Sequence, residues 1–200
     1  MTIPHSHIGA SALILAAGFS NRMGQCKAFL SFEKGKTFLE KIIEEYTKFG
    51  ISEIIVVINK NFENEMIMNP FLRDKPKFVI NLNPENGRWS SILIGLNALK
   101  RKNSCYIQNI DNPFVTTDLL FNLETKINID NYVVPVIKGK GGHPILIGHE
   151  IIKSILSIDE TDRDLKEFLI RFKRTEVETN DKNILVNINT LEDYKKIFNL

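Results

Sequence analysis

The chain has 200 residues, of which 43% are hydrophobic and 25% charged, and its net charge is +2; these figures suit one ordinary α/β domain. So small a charge argues against a general nucleic-acid or membrane-surface binder, so any phosphate recognition has to come from a local site. The two cysteines, Cys26 and Cys105, read as free thiols of a reducing cytoplasm, and no apolar run approaches the about 18 residues of a membrane span.

Residues 1–9 lack a basic segment followed by an apolar run, so they read as a flexible end rather than a signal peptide, with His5 and His7 outside any site. Ala10–Ala17 is a short apolar run ending at Gly18 and reads as a buried strand. Phe38–Phe49 places Leu39, Ile42, Ile43, Tyr46 and Phe49 at helical spacing, and Gly50 stops it. Glu53–Asn59, rich in β-branched residues, is a second buried strand and Lys77–Asn81 a third. Trp89–Leu99 is predicted as a helix with Ile92, Leu96 and Leu99 on one side. Ser104–Ile110 follows as a strand, and Thr117–Lys126 as a helix entered through a Thr-rich cap. Tyr132–Ile137 and His143–Ile147 are strands around a Gly-rich turn. Further helices are expected at Glu150–Leu156, Leu165–Phe172 and Leu191–Phe198, with edge strands at Glu176 and Leu185–Ile188. This alternation argues for right-handed βαβ units in an α/β, Rossmann-like three-layer fold with a mainly parallel sheet. No linker or repeat interrupts it, so residues 10–200 read as a single domain.

Four stretches carry chemistry. The first strand runs into Leu15-Ala16-Ala17-Gly18-Phe19-Ser20-Asn21-Arg22-Met23-Gly24-Gln25-Cys26-Lys27. In an open α/β sheet, ligands bind beyond the carboxyl ends of the strands. Ala16, Ala17 and Gly18 let a ligand approach the backbone there, whose N–H groups cradle phosphates or a base edge. Arg22 and Lys27 add a planar fork and a compact point charge to the same loop. The loop is neither a Walker A sequence nor a dinucleotide fingerprint. Taken alone, such a basic loop is more often a surface turn with two solvated cations.

Asn83–Ser91 is a polar loop leading into a helix; Gly87, Ser90 and Ser91 read either as helix-capping residues or as contacts to a base or ribose. Trp89 reads as packing. The strand ending at Ile110 leads into Asp111-Asn112-Pro113, and a carboxylate there is costly unless it is paired or metal-bound. Asp111 would face the same sheet edge as Gly18 and Lys27, which suits Mg²⁺ held by a carboxylate, phosphate oxygens and water. Its alternative role, capping the Thr117 helix, fits Thr116 better. Gly139–Pro144 is a tight turn containing His143, a residue type that is more often structural. Thr190 reads as the cap of the last helix, with Asp193 in its first turn.

The first loop resembles the signature L-A-A-G-x-S-x-R-M-G-x-x-K of the nucleotidyltransferases, closest to the molybdenum cofactor cytidylyltransferases and their guanylyltransferase relatives. Leu15, Ala16, Ala17, Gly18, Ser20, Arg22, Met23, Gly24 and Lys27 match in register. The resemblance implies the nucleotide-diphospho-sugar transferase type of fold. It implies that the backbone at Leu15–Gly18 meets the base, that Arg22 and Lys27 hold the triphosphate, and that Gly87 and Ser91 help select the base. It reads Asp111-Asn112-Pro113 as the D-x-P element that binds Mg²⁺, and Gly142-His143-Pro144 as a G-H-P element beside the acceptor. Asp162–Leu165 stands at the family's helix entry but matches it poorly. Asn187–Tyr194 resembles D-I-D-T-P-E-D with Asn187 and Asn189 in place of both leading acids, which makes Asn189 a neutral candidate ligand for the metal.

The implied reaction is attack by an acceptor phosphate on the α-phosphorus of a nucleoside triphosphate, expelling pyrophosphate. Asp111-bound Mg²⁺ would bridge the α-phosphate and the acceptor, while Arg22 and Lys27 would stabilise the leaving group. The double alanine leans toward CTP, with a molybdopterin-type acceptor and a molybdoenzyme or cofactor-insertion partner. A sugar-1-phosphate or other phospho-alcohol is the alternative acceptor. Asn187 and Asn189 motivate a second alternative, a nucleotide-binding chaperone or regulator without turnover; a scaffold with no nucleotide site would make Gly18, Arg22, Lys27 and Asp111 a coincidence.

Overall fold

The computed structural model describes residues 9–62, 76–158 and 163–199; His5, His7 and Asp162 lie outside them. Among the described residues the main sheet has eight strands: β1 (Ser11–Leu15), β4 (Ile54–Asn59), β5 (Lys77–Asn81), β6 (Ser104–Asn109), β7 (Asn131–Ile137), β8 (Lys140–Gly141), β9 (Ile145–Gly148) and β10 (Lys173–Glu178). A separate hairpin of β2 (Ser31–Glu33) and β3 (Lys36–Thr37) turns on Gly35, in a stretch with no long apolar run to signal it. The order in the main sheet is β10-β7-β9-β6-β1-β4-β5, with β8 paired to β7. β1 lies parallel to β4 and β6, β4 to β5, and β7 to β10, whereas β9 runs antiparallel to both its neighbours. The switch falls between β1, β4 and β6, whose carboxyl ends therefore open on one edge.

Alternation along β1 divides the core. Ala12, Ile14 and Ala16 join one apolar layer, under α1 (Phe38–Phe49) and α3 (Thr117–Glu124). Leu13, Leu15 and Ala17 join the other, under α2 (Gly87–Ala98), α4 (His149–Leu156) and α5 (Leu165–Leu169). Each strand thus feeds two layers, which is why these strands read as continuous apolar runs. Gly95 lets α2 settle on β1, since a Cβ there would stand 2.2 Å from Leu13 Cδ1. Trp89 is buried in this layer, with its ring centroid 5.1 Å from that of Phe168, a packing role as expected. A third, smaller cluster joins Met23, Leu30, Phe38, Ile188 and Tyr194 and docks α6 (Leu191–Phe198) beside the first loop.

Local signals place the helix ends. α1 opens with a capping box between Thr37 and Glu40 and closes on Gly50 at φ 97°. Thr116 caps α3 by accepting from Leu119 N–H, and Thr190 with Asp193 forms a second capping box on α6. Asp164 caps α5, accepting from the N–H groups of Lys166 and Glu167.

The expected edge strand at Leu185–Ile188 is not formed. Lys182–Leu185 is a 3-10 turn, and the carbonyls of Asn183, Ile184 and Val186 accept from Asn112 Nδ2 at 3.0, 3.2 and 2.7 Å. Ile188 N–H donates to the Asp111 carbonyl at 2.8 Å. A buried side-chain amide has taken the acceptors that a ladder would have used. The helix expected to reach Phe172 stops at Leu169 and hands over to β10.

Candidate active site

A cavity of about 480 Å³ opens at the carboxyl edge of β1, β5 and β6. Leu15, Ala17, Gly18, Arg22 and Lys27 line it from the first loop, Gly87 and Ser91 from α2, and Asp111 and Asn189 from the far wall. Ala16 is not among the lining residues: its side chain is in the core, and its N–H donates to Val57 O at 2.8 Å. A Cβ on Gly18 would meet nothing within 4 Å, so the glycine leaves room over the loop. Gly87 takes φ 79°, a backbone geometry that other residues rarely adopt.

Lys27 and Asp111 form the charged floor. Lys27 Nζ lies 3.0 Å from Asn189 Oδ1 and 4.0 Å from Asp111 Oδ2. Burial lowers the Lys27 pKa; Asp111 pulls it back up, and Arg22 pushes it down. Burial raises the Asp111 pKa above the usual carboxylate value, against the pull of Lys27 and Arg88. Asp111 Oδ1 is buried without a hydrogen-bond partner. No group of three or more His, Cys, Asp or Glu side chains is placed to hold a metal among the described residues. The floor therefore suits a divalent ion shared with phosphate oxygens rather than one caged by protein. The orphaned Asp111 oxygen fits that demand, and Asn189 offers a neutral oxygen beside it.

A second cavity, of about 510 Å³, lies between β7, α5 and the turn before β9. Gly142 and His143 line it; Pro144, joined to His143 by a cis peptide bond, is buried and does not. Gly142 has a packing reason too, since a Cβ there would stand 2.5 Å from Ile184 O. His143 Nε2 is 3.1 Å from Asn109 Nδ2 and its Nδ1 has no partner. Burial, and then the charge of Arg88, lower its pKa to about 4, so the ring is neutral at physiological pH. Arg88 lines both cavities and makes no ion pair among the described residues. Nothing in the sequence pattern singles it out, although a cation directly after Gly87 at a helix entrance is a usable signal.

Three asparagines are likewise missed by motif alone. Asn59 ends β4 and donates to Ala17 O at 2.9 Å, clamping the glycine loop. Asn81 ends β5 and donates to Ser90 and Ser91, and Asn109 ends β6 at the junction of the cavities. Each stands at a strand's carboxyl end, which is the available clue.

Comparison with known proteins decides the family: a family model, the MobA-like NTP transferase domain, matches residues 12–177. The chain belongs to this family. Relatives of the MobA-like domain extend over most of its length. The molybdenum cofactor cytidylyltransferase of Escherichia coli K12 is 26% identical over 182 residues, covering 91% of this chain and 92% of that one. A probable molybdenum cofactor guanylyltransferase of Bacillus velezensis is 28% identical over 199 residues, covering 92% of each. Rv0371c of Mycobacterium tuberculosis H37Rv superposes with a TM-score of 0.78 at 18% identity, covering 96% of this chain and 98% of that one. Its manganese complex superposes at 0.77 with 15% identity and the same coverage. HddC from Yersinia pseudotuberculosis, complexed with GMP-PN, superposes at 0.70 with 18% identity, covering 93% and 96%. The MobA-like domain has the nucleotide-diphospho-sugar transferase type of fold, and its family is one of nucleotidyltransferases. No helix among its described residues is long and apolar enough to cross a membrane.

Proposed function

We propose that this MobA-like domain transfers a nucleoside monophosphate, CMP by preference, from its triphosphate to a molybdopterin-type phosphorylated acceptor, releasing pyrophosphate. The observation that carries the proposal is the partnerless, buried Asp111 oxygen beside the Lys27 ammonium on the floor of the glycine-loop cavity. The names of the relatives support the rest: a cytidylyltransferase in E. coli and probable guanylyltransferases in Bacillus.

In this reading the base lies toward Leu15, Ala17, Gly87 and Ser91, and the triphosphate toward Arg22 and Lys27. Arg22 is exposed and without a hydrogen-bond or ion-pair partner among the described residues, so its fork is available to phosphate oxygens. Asp111 and Asn189 are the residues to hold Mg²⁺, which when bound neutralises phosphate charge and aligns the in-line displacement. Lys27, between Asp111 and Asn189, stabilises the departing pyrophosphate. The acceptor enters from the second cavity, past Gly142 and the neutral His143, and its phosphate meets the α-phosphorus near Arg88. The new O–P bond forms as the bond to the pyrophosphate oxygen breaks, with no protein nucleophile.

One observation favours a second reading. Asn189 Oδ1 is already engaged by Lys27, which weakens the claim of a second metal ligand and suits a nucleotide binder without turnover. Pyrophosphate release separates the two. With CTP, Mg²⁺ and a molybdopterin-type acceptor, the wild-type protein should release pyrophosphate, and Asp111→Asn should lose activity by about 100-fold or more. Nucleotide binding with no release on that acceptor or on a sugar-1-phosphate would favour the binder.

A further inference from the structure

Asn59 and Asn81 are register partners on neighbouring parallel strands, and both use the same device. Each accepts at Oδ1 from the backbone N–H two residues on, Asn61 for one and Asn83 for the other, both at 2.9 Å. A backbone N–H can only donate, so the orientation of each amide is fixed by chemistry. Asn81 Nδ2 therefore points at the serines, reaching Ser90 Oγ and Ser91 Oγ at 3.0 Å each. Both serine oxygens must accept from it. Ser90 then donates its own proton to the Gly87 carbonyl at 2.8 Å. Ser91 has no acceptor for its proton among the described residues, and it lines the first cavity. Asn81 is 1% exposed and does not itself line the cavity.

We propose that Asn81 is a positioning residue for base selection: it holds Ser91 as a hydrogen-bond donor, so that the cavity takes nucleotides whose base presents a lone pair, a carbonyl oxygen or an unprotonated ring nitrogen, at that point. An amino group there could use only the second lone pair of the hydroxyl and would leave the Ser91 proton without an acceptor. A buried hydroxyl that loses its partner in this way discriminates far more strongly than a change of size. This inference rests on the nucleotide reading of the cavity and adds which way its hydrogen bond runs.

Asn81→Asp tests it, because the change is isosteric and reverses one polarity. The carboxylate so introduced still accepts from Asn83 N–H, but its second oxygen accepts from Ser91, which then turns a lone pair toward the base. Titrations would measure the dissociation constants of CTP, GTP and inorganic tripolyphosphate with Mg²⁺ on the wild type, Ser91→Ala, Asn81→Asp and the double variant. The better of the two nucleotides should weaken by about 10-fold or more in each single variant. The double variant should be no weaker than the worse single one, since Asn81 acts only through Ser91. Tripolyphosphate, which has no base, should bind all four within about 2-fold, an outcome that a merely structural role would not give. Wild-type nucleotide affinity in Asn81→Asp, or losses that add fully in the double variant, would overturn the assignment of Asn81. A wild type that binds tripolyphosphate but gains nothing from any base would instead overturn the nucleotide reading beneath it.

Discussion

The surroundings of Asp111 conflict with its own charge. One oxygen is near Lys27 and the other is buried with nothing to accept from. The raised folded pKa sets the sign of its contribution. The folded protein holds the Asp111 proton to a higher pH than the unfolded chain does, so this group's contribution falls as pH rises through the folded pKa. At neutral pH without ligand, Asp111→Asn should therefore raise the melting temperature by about 2–4 °C, the response to roughly 1 kcal/mol in a domain of this size. A lowered melting temperature would mean that the Lys27 pair outweighs the orphaned oxygen. His143 has the opposite linkage. Its pKa is lowered to about 4, so between about pH 6.5 and 4 the unfolded chain binds a proton that the folded one does not. Stability from this group is complete above that window and lost as pH falls through it. Urea unfolding at pH 7 and pH 4 checks this: the wild type should lose about 2–3 kcal/mol more on acidification than His143→Gln does.

The segment from Lys182 to Asn189 takes three of its hydrogen bonds from one side chain. Asn112 Nδ2 reaches three carbonyls of that segment, and Asn112 is 1% exposed. Asn183 O and Ile184 O keep the backbone donors Val186 N–H and His143 N–H, so the main loss falls on Val186 O, and Asn112→Ala should cost about 1–3 kcal/mol in urea unfolding. It should also weaken nucleotide binding, because Asn189 closes one wall of the cavity. A variant that loses stability but keeps its nucleotide affinity would show that the wall holds without this anchor. Here lies the boundary of what the sequence makes legible. α1, β5 and α6 keep the limits that spacing and stop signals predict, because an amphipathic stripe, a capping box and a following glycine are local. Leu185–Ile188 is a short apolar run of the kind strands use, yet Asn112, about 70 residues away, takes carbonyls in and just before it through bonds that no local pattern records.

At the scale of the whole molecule, the order of strands gathers residues from four distant stretches onto one edge. Gly18, Lys27, Ser91 and Asp111 are each visible as motif residues, and all four line one cavity. The motif at Gly142–His143–Pro144 resolves into separate roles: Gly142 packs against Ile184, His143 lines the second cavity and Pro144 is buried. Arg88 and the strand-end asparagines leave only the positional clues of a helix entrance and a strand end, because a lone Arg or Asn has no pattern until the sheet sets it beside its neighbours. The net charge of +2 hides the fact that Arg22, Lys27 and Arg88 all line the same opening. That concentration of cations over one orphaned carboxylate is what supports the proposed triphosphate site, and nucleotide-dependent thermal unfolding tests it most directly. CTP, GTP, ATP and UTP, each with and without Mg²⁺, would be compared on wild type and Asp111→Asn. A nucleotide at about 100 times its Kd should add about 2.7 kcal/mol, or roughly 5–10 °C. The expected result is such a shift with Mg²⁺ for at least one nucleotide, CTP first, and its loss in Asp111→Asn although that variant starts from the higher melting temperature. No shift with any nucleotide, or an equal shift in both proteins, would contradict it.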